Sequence, residues 1–432
     1  MSELIQYPRV LIISHNALSM TNNMGKTLVS YFRSFPKDHL AQLYFHEGVP
    51  HSNICSNYYS FSDKDALKSV INRFCRGTIY RDIEFDESSS SIITGALYTA
   101  GKTKNPIVSY ARDFIWRISH WKNKQMINWI REFSPEVIFY ASGDYCFSYR
   151  IARYLSNLLN LPLVTCCFDD FYLYCAYENK IFGKAYYNHF LKVAKNTIYK
   201  SEKLFTVNDL MSKEYEKFFG KKSSVLYTAA NISETETQYE SKHSINYIGG
   251  LALNRQIPIV EIGRLMKSGI DGLEDHINVY SAESRKEILD VLVESNGIKY
   301  KGSIGPIEVR KVIEDSLAVI HVESFDNNNR SRTRLSLSTK IAESLGSGTI
   351  LIAYGPSELA SMQYLRENNV AIVADNITDL KKKICETLIQ EDKYNEMVER
   401  ALNLARKNHS SEAIQKTVVL GLNEAIRNYG NR

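Results

Sequence analysis

The residues best suited to chemistry lie in one stretch of the C-terminal half, from Ala318 to Pro356. The stretch combines a short apolar run ending at Glu323, a loop with three arginines, and a predicted helix that starts near Ser338. Free backbone N–H groups at a helix start can bind a diphosphate, so we expect Ser338 and Thr339 to do so. Glu343, about one turn further along, is placed to bind ribose hydroxyls, although a lone helix glutamate is more often simply exposed.

Positive charges and glycines at other predicted strand ends would serve the same anionic ligand. Gly249 and Gly250 follow the apolar run INYI, and Arg255 lies where the next helix begins. Lys301 ends a further predicted strand. Ligands of open parallel sheets bind beyond the carboxyl ends of the strands, so these positions together predict an anion site. The alternative for each residue taken alone is a turn or a solvated surface position.

Polar side chains also follow predicted strands in the N-terminal half. His15 lies in the loop after RVLIIS, and Asp144 and the pair Asp169 and Asp170 end two later strands. A carboxylate at such a position can orient or deprotonate a hydroxyl group, which predicts a catalytic role for Asp169 and Asp170, and His15 is a further candidate contact. The alternative is that these acids cap the helices that follow.

The elements that must position these residues alternate along the chain. RVLIIS and AQLYFHE predict two strands around a helix at 25–35, whereas 49–105 is polar and poorly patterned, with a loop at 87–91. After the polar linker 231–243, six apolar runs alternate with helix-length segments. This order predicts an α/β fold with two Rossmann-like domains and a helical C-terminal tail.

Composition and charge limit the class of protein. The chain is 44% hydrophobic and 23% charged, which is typical of a globular protein. Its length of 432 residues predicts two domains. Its net charge of +5 suits an anionic small ligand or membrane face and argues against nucleic acid as a partner. No secretory signal or long apolar run is visible, so we expect a cytoplasmic protein. The seven cysteines lack metal-ligand spacing, so we predict reduced thiols and no metal site.

The helix STKIAESLGSG at 338–348 carries a family resemblance. It resembles the pattern S-x-K-x-x-E-x-L-x-x-G at the donor site of retaining GT-B glycosyltransferases. The chain is similar in outline to glycosyltransferase family 4 enzymes of bacterial capsule and O-antigen biosynthesis. The resemblance implies a GT-B fold, with two parallel sheets facing across a cleft. It also implies that 1–235 bind the acceptor, that 244–405 bind the nucleotide sugar, and that 406–432 pack back toward the N-terminal domain.

The same resemblance assigns roles to individual residues. It implies that Glu343 binds the ribose and that Arg255 and Lys301 hold the diphosphate. The remaining donor contacts that it implies are Gly25, Gly250, Ser338, Thr339 and Lys340. Glu323 would touch the transferred sugar, but 19 residues separate it from Glu343, 12 more than in the family signature. The inserted arginines at 330, 332 and 334 are an alternative source of phosphate contacts.

The predicted function is transfer of a sugar from a UDP-sugar or GDP-sugar to a saccharide or lipid-linked saccharide, with retention and without metal or cofactor. Asp63-Lys64-Asp65 lies in the polar region with no predicted strand before it, which argues against a metal-dependent GT-A enzyme. A sugar-nucleotide epimerase of GT-B fold and a non-catalytic binding subunit remain alternatives. All three tryptophans fall in the basic stretch 112–133, which we interpret as packed helices, with contact to the inner membrane face as the alternative.

Overall fold

The computed structural model describes residues 6–20, 23–82, 105–234 and 239–431, so the loop predicted at 87–91 lies outside the described residues. The chain forms two compact units. Unit 1 comprises Met1–Val207, Ser212–Leu226 and Ile414–Arg432, and unit 2 comprises Asn208–Met211 and Tyr227–Ala413. Within the described part of the chain, no helix is both long and apolar enough to span a bilayer.

Unit 1 is built on an eight-stranded sheet with the order β4-β3-β2-β1-β5-β6-β7-β8. All neighbouring strands are parallel except β3 and β4, which pair antiparallel at the edge. Every residue of β1, β2, β5 and β6 is buried, as expected for parallel strands covered on both faces. The strands are β1 Val10–Ser14, β2 Leu40–Tyr44, β3 Asn57–Ser60, β4 Thr78–Arg81, β5 Val137–Ser142, β6 Leu163–Cys167, β7 Lys203–Thr206 and β8 Ser224–Val225.

Unit 2 is built on a six-stranded parallel sheet with the order β11-β10-β9-β12-β13-β14. The six apolar runs identified in the sequence form these six strands. The central position of β9 and β12 brings the residues that follow both strands to one edge of the sheet. The strands are β9 Ile245–Ile248, β10 Ile277–Tyr280, β11 Ile298–Gly302, β12 Ala318–Val322, β13 Ile350–Tyr354 and β14 Ile372–Ala374.

Sixteen helices of the described residues cover the two sheets. The first eight are α1 Asn23–Phe32, α2 Asp63–Ile71, α3 Pro106–Ile118, α4 Lys124–Phe133, α5 Cys146–Leu159, α6 Gly183–Lys200, α7 Asp209–Phe219 and α8 Gln256–Lys267. The others are α9 Lys286–Leu289, α10 Pro306–Glu314, α11 Asn327–Thr333, α12 Thr339–Leu345, α13 Ala360–Asn368, α14 Ile377–Thr387, α15 Glu391–Asn408 and α16 Ser411–Gly430.

The segment interpreted as poorly patterned is more regular than predicted. Its described part contains β3, α2 and β4, so a strand does precede the acidic pair Asp63 and Asp65, contrary to the prediction. A capping box starts α2: the Ser62 hydroxyl accepts from the Asp65 amide at 3.3 Å, and the Asp65 carboxylate accepts from the Ser62 amide at 2.9 Å. Asp63 accepts hydrogen bonds from Arg112 at 2.8 Å and from the Trp116 indole at 2.7 Å.

The basic stretch with the three tryptophans forms α3, α4 and the turn between them. Trp116, Trp121 and Trp129 are all buried. The Trp116 ring stacks on Phe147 with centroids 3.9 Å apart, which places this face of α3 on the core of unit 1. The three indole rings are therefore packed inside unit 1, as the favoured interpretation of this stretch predicted.

The end of α16 belongs to unit 1 and packs on β7. A Cβ on Gly421 would lie 2.3 Å from the Phe205 ring, so the helix backbone approaches the ring closely at this point. Lys203 and Glu424 form an ion pair at 2.6 Å.

Candidate functional site

Residues beyond the ends of β9 and β12 form the candidate site in unit 2. Before Arg255, the loop after β9 passes through Leu253 and Asn254, both in the left-handed region with φ of 64° and 58°. Non-glycine residues in this region are uncommon and strained, and such strain concentrates at functional sites. The loop directs Arg255, which immediately precedes α8, toward Glu323 at the end of β12.

Glu323 is the buried acid of the site and is 4% exposed. Nη2 of Arg255 lies 3.4 and 3.3 Å from its two carboxylate oxygens, and Nε2 of His321 lies 3.2 Å from Oε1. Burial alone would raise the pKa of Glu323, but His321 and Arg255 outweigh it and lower the pKa below its usual value. Glu323 is therefore ionised at neutral pH and accepts hydrogen bonds without donating any.

Gly355, after β13, lies directly against Glu323. A Cβ on Gly355 would stand 2.9 Å from the Cβ of Glu323, closer than real side chains approach. The Glu323 amide also donates to the carbonyl oxygen of Tyr354 at 3.1 Å. The close approach of the two backbones thus accounts for a glycine at position 355.

Lys340 supplies the second cation. Its ammonium group donates to the carbonyl oxygen of Ile248 at 2.9 Å and lies 5.9 Å from the centre of the Tyr247 ring. Although the residue retains exposed surface, burial of the charged group and the nearby charge of Arg255 lower the pKa of Lys340 to about 8. Glu343 acts in the opposite direction on this pKa, which places its carboxylate in electrostatic reach of Lys340.

The two glycines after β9 differ in what they do. Gly249 has φ of 156°, and a Cβ on it would stand 1.7 Å from the Lys340 ammonium. Gly250, the glycine predicted from the sequence, is exposed, and a Cβ there would meet nothing within 4 Å. The constraint therefore falls on Gly249, while Gly250 accepts a hydrogen bond from the Tyr247 hydroxyl at 2.7 Å.

Besides Nε2 of His321, three buried polar atoms at this sheet edge have no hydrogen-bond partner in the described structure. They are Nε of Arg255, Oε1 of Gln256 and Oγ of Ser281. Most buried polar atoms in proteins have a partner, because an unpaired one costs about 1–3 kcal/mol. Their gathering after β9 and β10 indicates a polar ligand site.

The other predicted donor contacts in unit 2 take different positions. Ser338 precedes α12 without a side-chain cap, and Thr339 begins the helix exposed. Glu343 is half-buried on the same helix. Lys301 is exposed on the edge strand β11, which β10 separates from β9. The second cation beside Arg255 is therefore Lys340.

The insertion between Glu323 and Glu343 is not the loop that the sequence predicted. Residues 327–333 form the short helix α11, whose N-cap Asp326 accepts from the Asn329 amide at 2.9 Å. Arg330 forms an ion pair with Glu358, with Nε 2.7 Å from Oε1. A carboxylate in the protein thus already engages one of the three arginines.

The predicted residues of unit 1 lie apart from this group in the sequence and in a different unit. His15, after β1, has its ring 4.6 Å from that of Tyr145 and 5.7 Å from that of His46. Burial and the positive charge of Arg112 lower the pKa of His15 to about 3. The ring is therefore neutral at physiological pH, so it can exchange hydrogen bonds but supplies no positive charge.

Asp169 and Asp170 differ in their surroundings, although both follow β6. Oδ1 of Asp170 accepts from the amides of Tyr172 and Leu173 at 3.1 and 3.0 Å and from the Tyr215 hydroxyl at 3.0 Å. This buried carboxylate therefore organises the turn that follows the strand. Asp169 is exposed.

Gly25, in the first turn of α1, lies against the loop after β1. A Cβ there would stand 2.7 Å from the Ala17 carbonyl oxygen and 2.9 Å from the Ser19 amide nitrogen. Close packing of α1 on this loop thus accounts for a glycine at this position.

Sequence reasoning missed His321 and underrated Gly249. His321 stands two residues before Glu323, so the two side chains lie on the same side of the chain as it leaves β12. That spacing was a readable signal. The proximity of Gly249 to Lys340 arises from the tertiary fold and has no local signal.

Comparison with known proteins supports the fold and the enzyme class. Residues 265–419 match a family described as glycosyl transferase-like. No curated protein is similar in sequence. The structure is similar to that of HepE from Anabaena in complex with UDP, with a TM-score of 0.63 and 11% identity over 96% of this chain and 99% of that chain.

Two synthases show the same architecture. Trehalose 6-phosphate synthase from Burkholderia multivorans aligns with a TM-score of 0.59 and 8% identity over 99% of both chains. Sucrose-phosphate synthase from Thermosynechococcus elongatus aligns with a TM-score of 0.57 and 10% identity over 98% of this chain and 99% of that chain. The predicted GT-B fold is confirmed, and the predicted enzyme class, a glycosyltransferase, is confirmed by the domain that residues 265–419 match.

Proposed function

We propose that the protein transfers a sugar from a UDP-sugar to a saccharide or lipid-linked saccharide. The observation that carries this proposal is the group of charges at the ends of β9 and β12, where Arg255 and Lys340 lie beside the ionised Glu323. Two cations and a carboxylate match the two parts of a nucleotide sugar, its diphosphate and its hydroxyl-rich sugar.

Arg255 and Lys340 hold the diphosphate in this proposal. The unpartnered Nε of Arg255 and Oγ of Ser281 are free to meet phosphate oxygens at the same edge. Backbone N–H groups at Ser338 and Thr339 add to these contacts. Because the cations are already in place, they stabilise the negative charge that develops on the departing nucleoside diphosphate.

Glu323 and Glu343 bind hydroxyl groups. Arg255 and His321 keep Glu323 ionised, so its carboxylate accepts hydrogen bonds from the transferred sugar. The carboxylate of Glu343 lies close enough to Lys340 for its charge to raise the lysine pKa. In this proposal it accepts hydrogen bonds from the ribose hydroxyls. For unit 1 we propose acceptor contacts of the exposed Asp169 and of neutral His15.

UDP is proposed as the nucleotide because structures of the similar Anabaena HepE were determined with UDP and with UDP-glucose. Retention of anomeric configuration follows from the resemblance to family 4. We propose a metal-independent reaction, since Asp63 and Asp65 are engaged by Arg112, Trp116 and Ser62. We also propose that Lys301, on the edge strand β11, contacts the diphosphate from further away than Arg255 and Lys340.

We propose that the reaction occurs in the cytoplasm at the inner membrane face, in capsule or O-antigen synthesis, as the family resemblance implies. The exposed face of α3 supports contact with a membrane. Ile107, Phe114 and Ile118 are exposed at positions i, i+7 and i+11, which lie on one side of a helix. Arg117 adds a positive charge at the end of that helix.

The test uses purified full-length protein with UDP-glucose, GDP-mannose and other nucleotide sugars. We expect slow release of nucleoside diphosphate and free sugar from one donor, and tighter calorimetric binding of UDP than of GDP. Arg255→Ala should abolish the release. Arg310→Ala is the matched control, because Arg310 pairs with Glu314 on the surface of α10. Epimer formation would instead identify an epimerase, and no binding of any nucleotide would identify a non-catalytic subunit; either result overturns the proposal.

A further inference from the structure

Unit 1 contains a cavity of about 370 Å³ between the end of α3, the following turn and α5. Four cations line it: Arg117, Lys122, Arg150 and Arg153. Trp121 and Tyr154 provide aromatic walls. Its volume is in the range of small-ligand pockets, and cations with aromatic faces form the usual lining for an anionic sugar.

One carboxylate orients two of the four cations from behind. Arg150 binds both oxygens of buried Asp113, with Nη2 2.9 Å from Oδ2, and Nε of Arg117 lies 3.5 Å from the same carboxylate. Nε2 of His189 lies 3.0 Å from Asp113 as well. Burial would raise the pKa of Asp113, but Arg150 and His189 lower it overall, so the acid is ionised and holds the guanidinium groups in place.

The other two cations have no carboxylate partner within 4.0 Å in the described structure. Lys122 instead lies over aromatic rings, with Nζ 4.2 Å from the centre of Tyr154 and 5.3 Å from that of Trp121. Burial and the positive charge of Arg150 lower the pKa of Arg153, which has no ion pair with an acid among the described residues. The cavity thus carries an excess of positive charge held in fixed positions.

A metal site is the competing interpretation of the neighbouring side chains. Ligand atoms of Asp113, Cys146 and His189 lie within 4.8 Å of one another. However, Arg150 occupies both oxygens of Asp113, and a divalent cation there would face this guanidinium group and Arg117. The arrangement favours an anion in the cavity over a cation beside it.

We propose that this cavity is a second binding site of the protein, for a sugar that carries a phosphate group. The phosphate would lie between Lys122 and Arg153, the two lining cations that no carboxylate engages in the described structure, with the positive charges of Arg117 and Arg150 beside it. The sugar ring would pack on Trp121 and Tyr154. The same chemistry is offered by a free sugar phosphate and by a phosphorylated lipid headgroup. The proposal rests on unit 1 alone and is independent of the donor site in unit 2.

The experiment measures binding to the full chain by calorimetry, with glucose 6-phosphate, inorganic phosphate and uncharged glucose as probes. A parallel arm measures cosedimentation with phosphatidylcholine vesicles that contain phosphatidic acid. The expected result is saturable binding of glucose 6-phosphate, tighter than that of inorganic phosphate and weakened by salt, with no binding of glucose. Binding confined to the phosphatidic acid vesicles would identify the ligand as a headgroup.

Arg153→Ala with Lys122→Ala should weaken the binding at least about tenfold, because each removes a charged contact to the phosphate. Arg131→Ala is the matched control, since Arg131 is an exposed arginine of the same basic stretch outside the cavity. Should the double variant have an altered circular dichroism spectrum, Arg153→Gln alone replaces it. The proposal is overturned if no phosphate-bearing probe binds the wild-type protein more tightly than the folded variant.

Discussion

The ammonium nitrogen of Lys340 occupies the space that a side chain on Gly249 would need, 1.7 Å from the position of its Cβ. Lys340 is the second residue of α12, whereas Gly249 follows β9. The absence of one side chain thus allows a cation from a distant part of the sequence to reach the backbone at Ile248. The proposed phosphate site depends on this proximity.

Gly249→Ala should therefore weaken UDP binding about tenfold. The new methyl group displaces the ammonium, and an alanine at φ of 156° adds backbone strain of about 1–3 kcal/mol. Gly250→Ala is the matched control, because a Cβ there meets nothing within 4 Å. Calorimetric titration with UDP distinguishes the two. Equal affinities in both variants would contradict the role given to Lys340.

UDP affinity should fall as pH rises through about 8. The pKa of Lys340 is lowered to about 8, so the ammonium is charged below that pH and loses its charge above it, while the phosphates stay ionised throughout. Lys340→Arg should bind UDP without this decline, since arginine keeps its charge. Lys340→Ala should bind weakly at all pH values. Titrations from about pH 7 to about pH 9 test this, because the charge of UDP is constant over that range, and an unchanged decline in the arginine variant would assign the titration to another group.

Glu323→Gln should lower turnover about a hundredfold with a smaller effect on UDP affinity. The amide has nearly the same shape but lacks the charge that Arg255 and His321 stabilise. Initial rates of donor hydrolysis at saturating UDP-glucose give kcat, and thermal unfolding reports the structural effect. If kcat is retained while the unfolding temperature drops, Glu323 serves the fold and not the reaction.

Glu343→Ala should weaken binding of UDP and GDP alike by about tenfold, because both nucleotides carry the same ribose hydroxyls. Glu396→Ala provides the comparison, since Glu396 pairs with Arg400 on the surface of α15. Unchanged affinity for both nucleotides would remove Glu343 from the site.

We expect Asp170→Ala to lower the stability of the protein, and Asp169→Ala to lower its transfer activity. Asp170 accepts three hydrogen bonds while buried, so its loss should lower the free energy of unfolding by about 3 kcal/mol. Asp169 is exposed, and its loss should change stability by less than about 0.5 kcal/mol while reducing transfer to acceptor. Urea unfolding and transfer assays measure the two effects. A stable Asp170→Ala protein would show that the turn does not need this carboxylate.

The sequence predicted the sheet of unit 2 well because strands buried on both faces appear as short apolar runs. It failed at β3, where the strand NYYS reads as polar although Tyr58 and Tyr59 are fully buried. It also placed a loop where α11 forms, since the Asp326 cap was taken as part of a polar insertion.

In the candidate site, the identity of the residues was easier to predict than their contacts. Arg255, Glu323 and Lys340 were all identified from strand ends or from the helix pattern. The choice of Lys340 over Lys301 as the partner cation depends on strand order, which places β11 at the sheet edge. Leu253, the first of the two left-handed residues that direct Arg255, is also not a residue type that favours such a conformation, whereas Asn254 is one of the few that do.

The packing of α16 on β7 has a consequence for synthesis on the ribosome. Lys203 and Phe205 receive their partners Glu424 and Gly421 from a helix that emerges more than two hundred residues later. Unit 2 lies almost wholly between the two and can fold while unit 1 still lacks its last helix. Until α16 is synthesised, the apolar surface at β7 that this helix covers stays exposed, and a chaperone could bind it during translation.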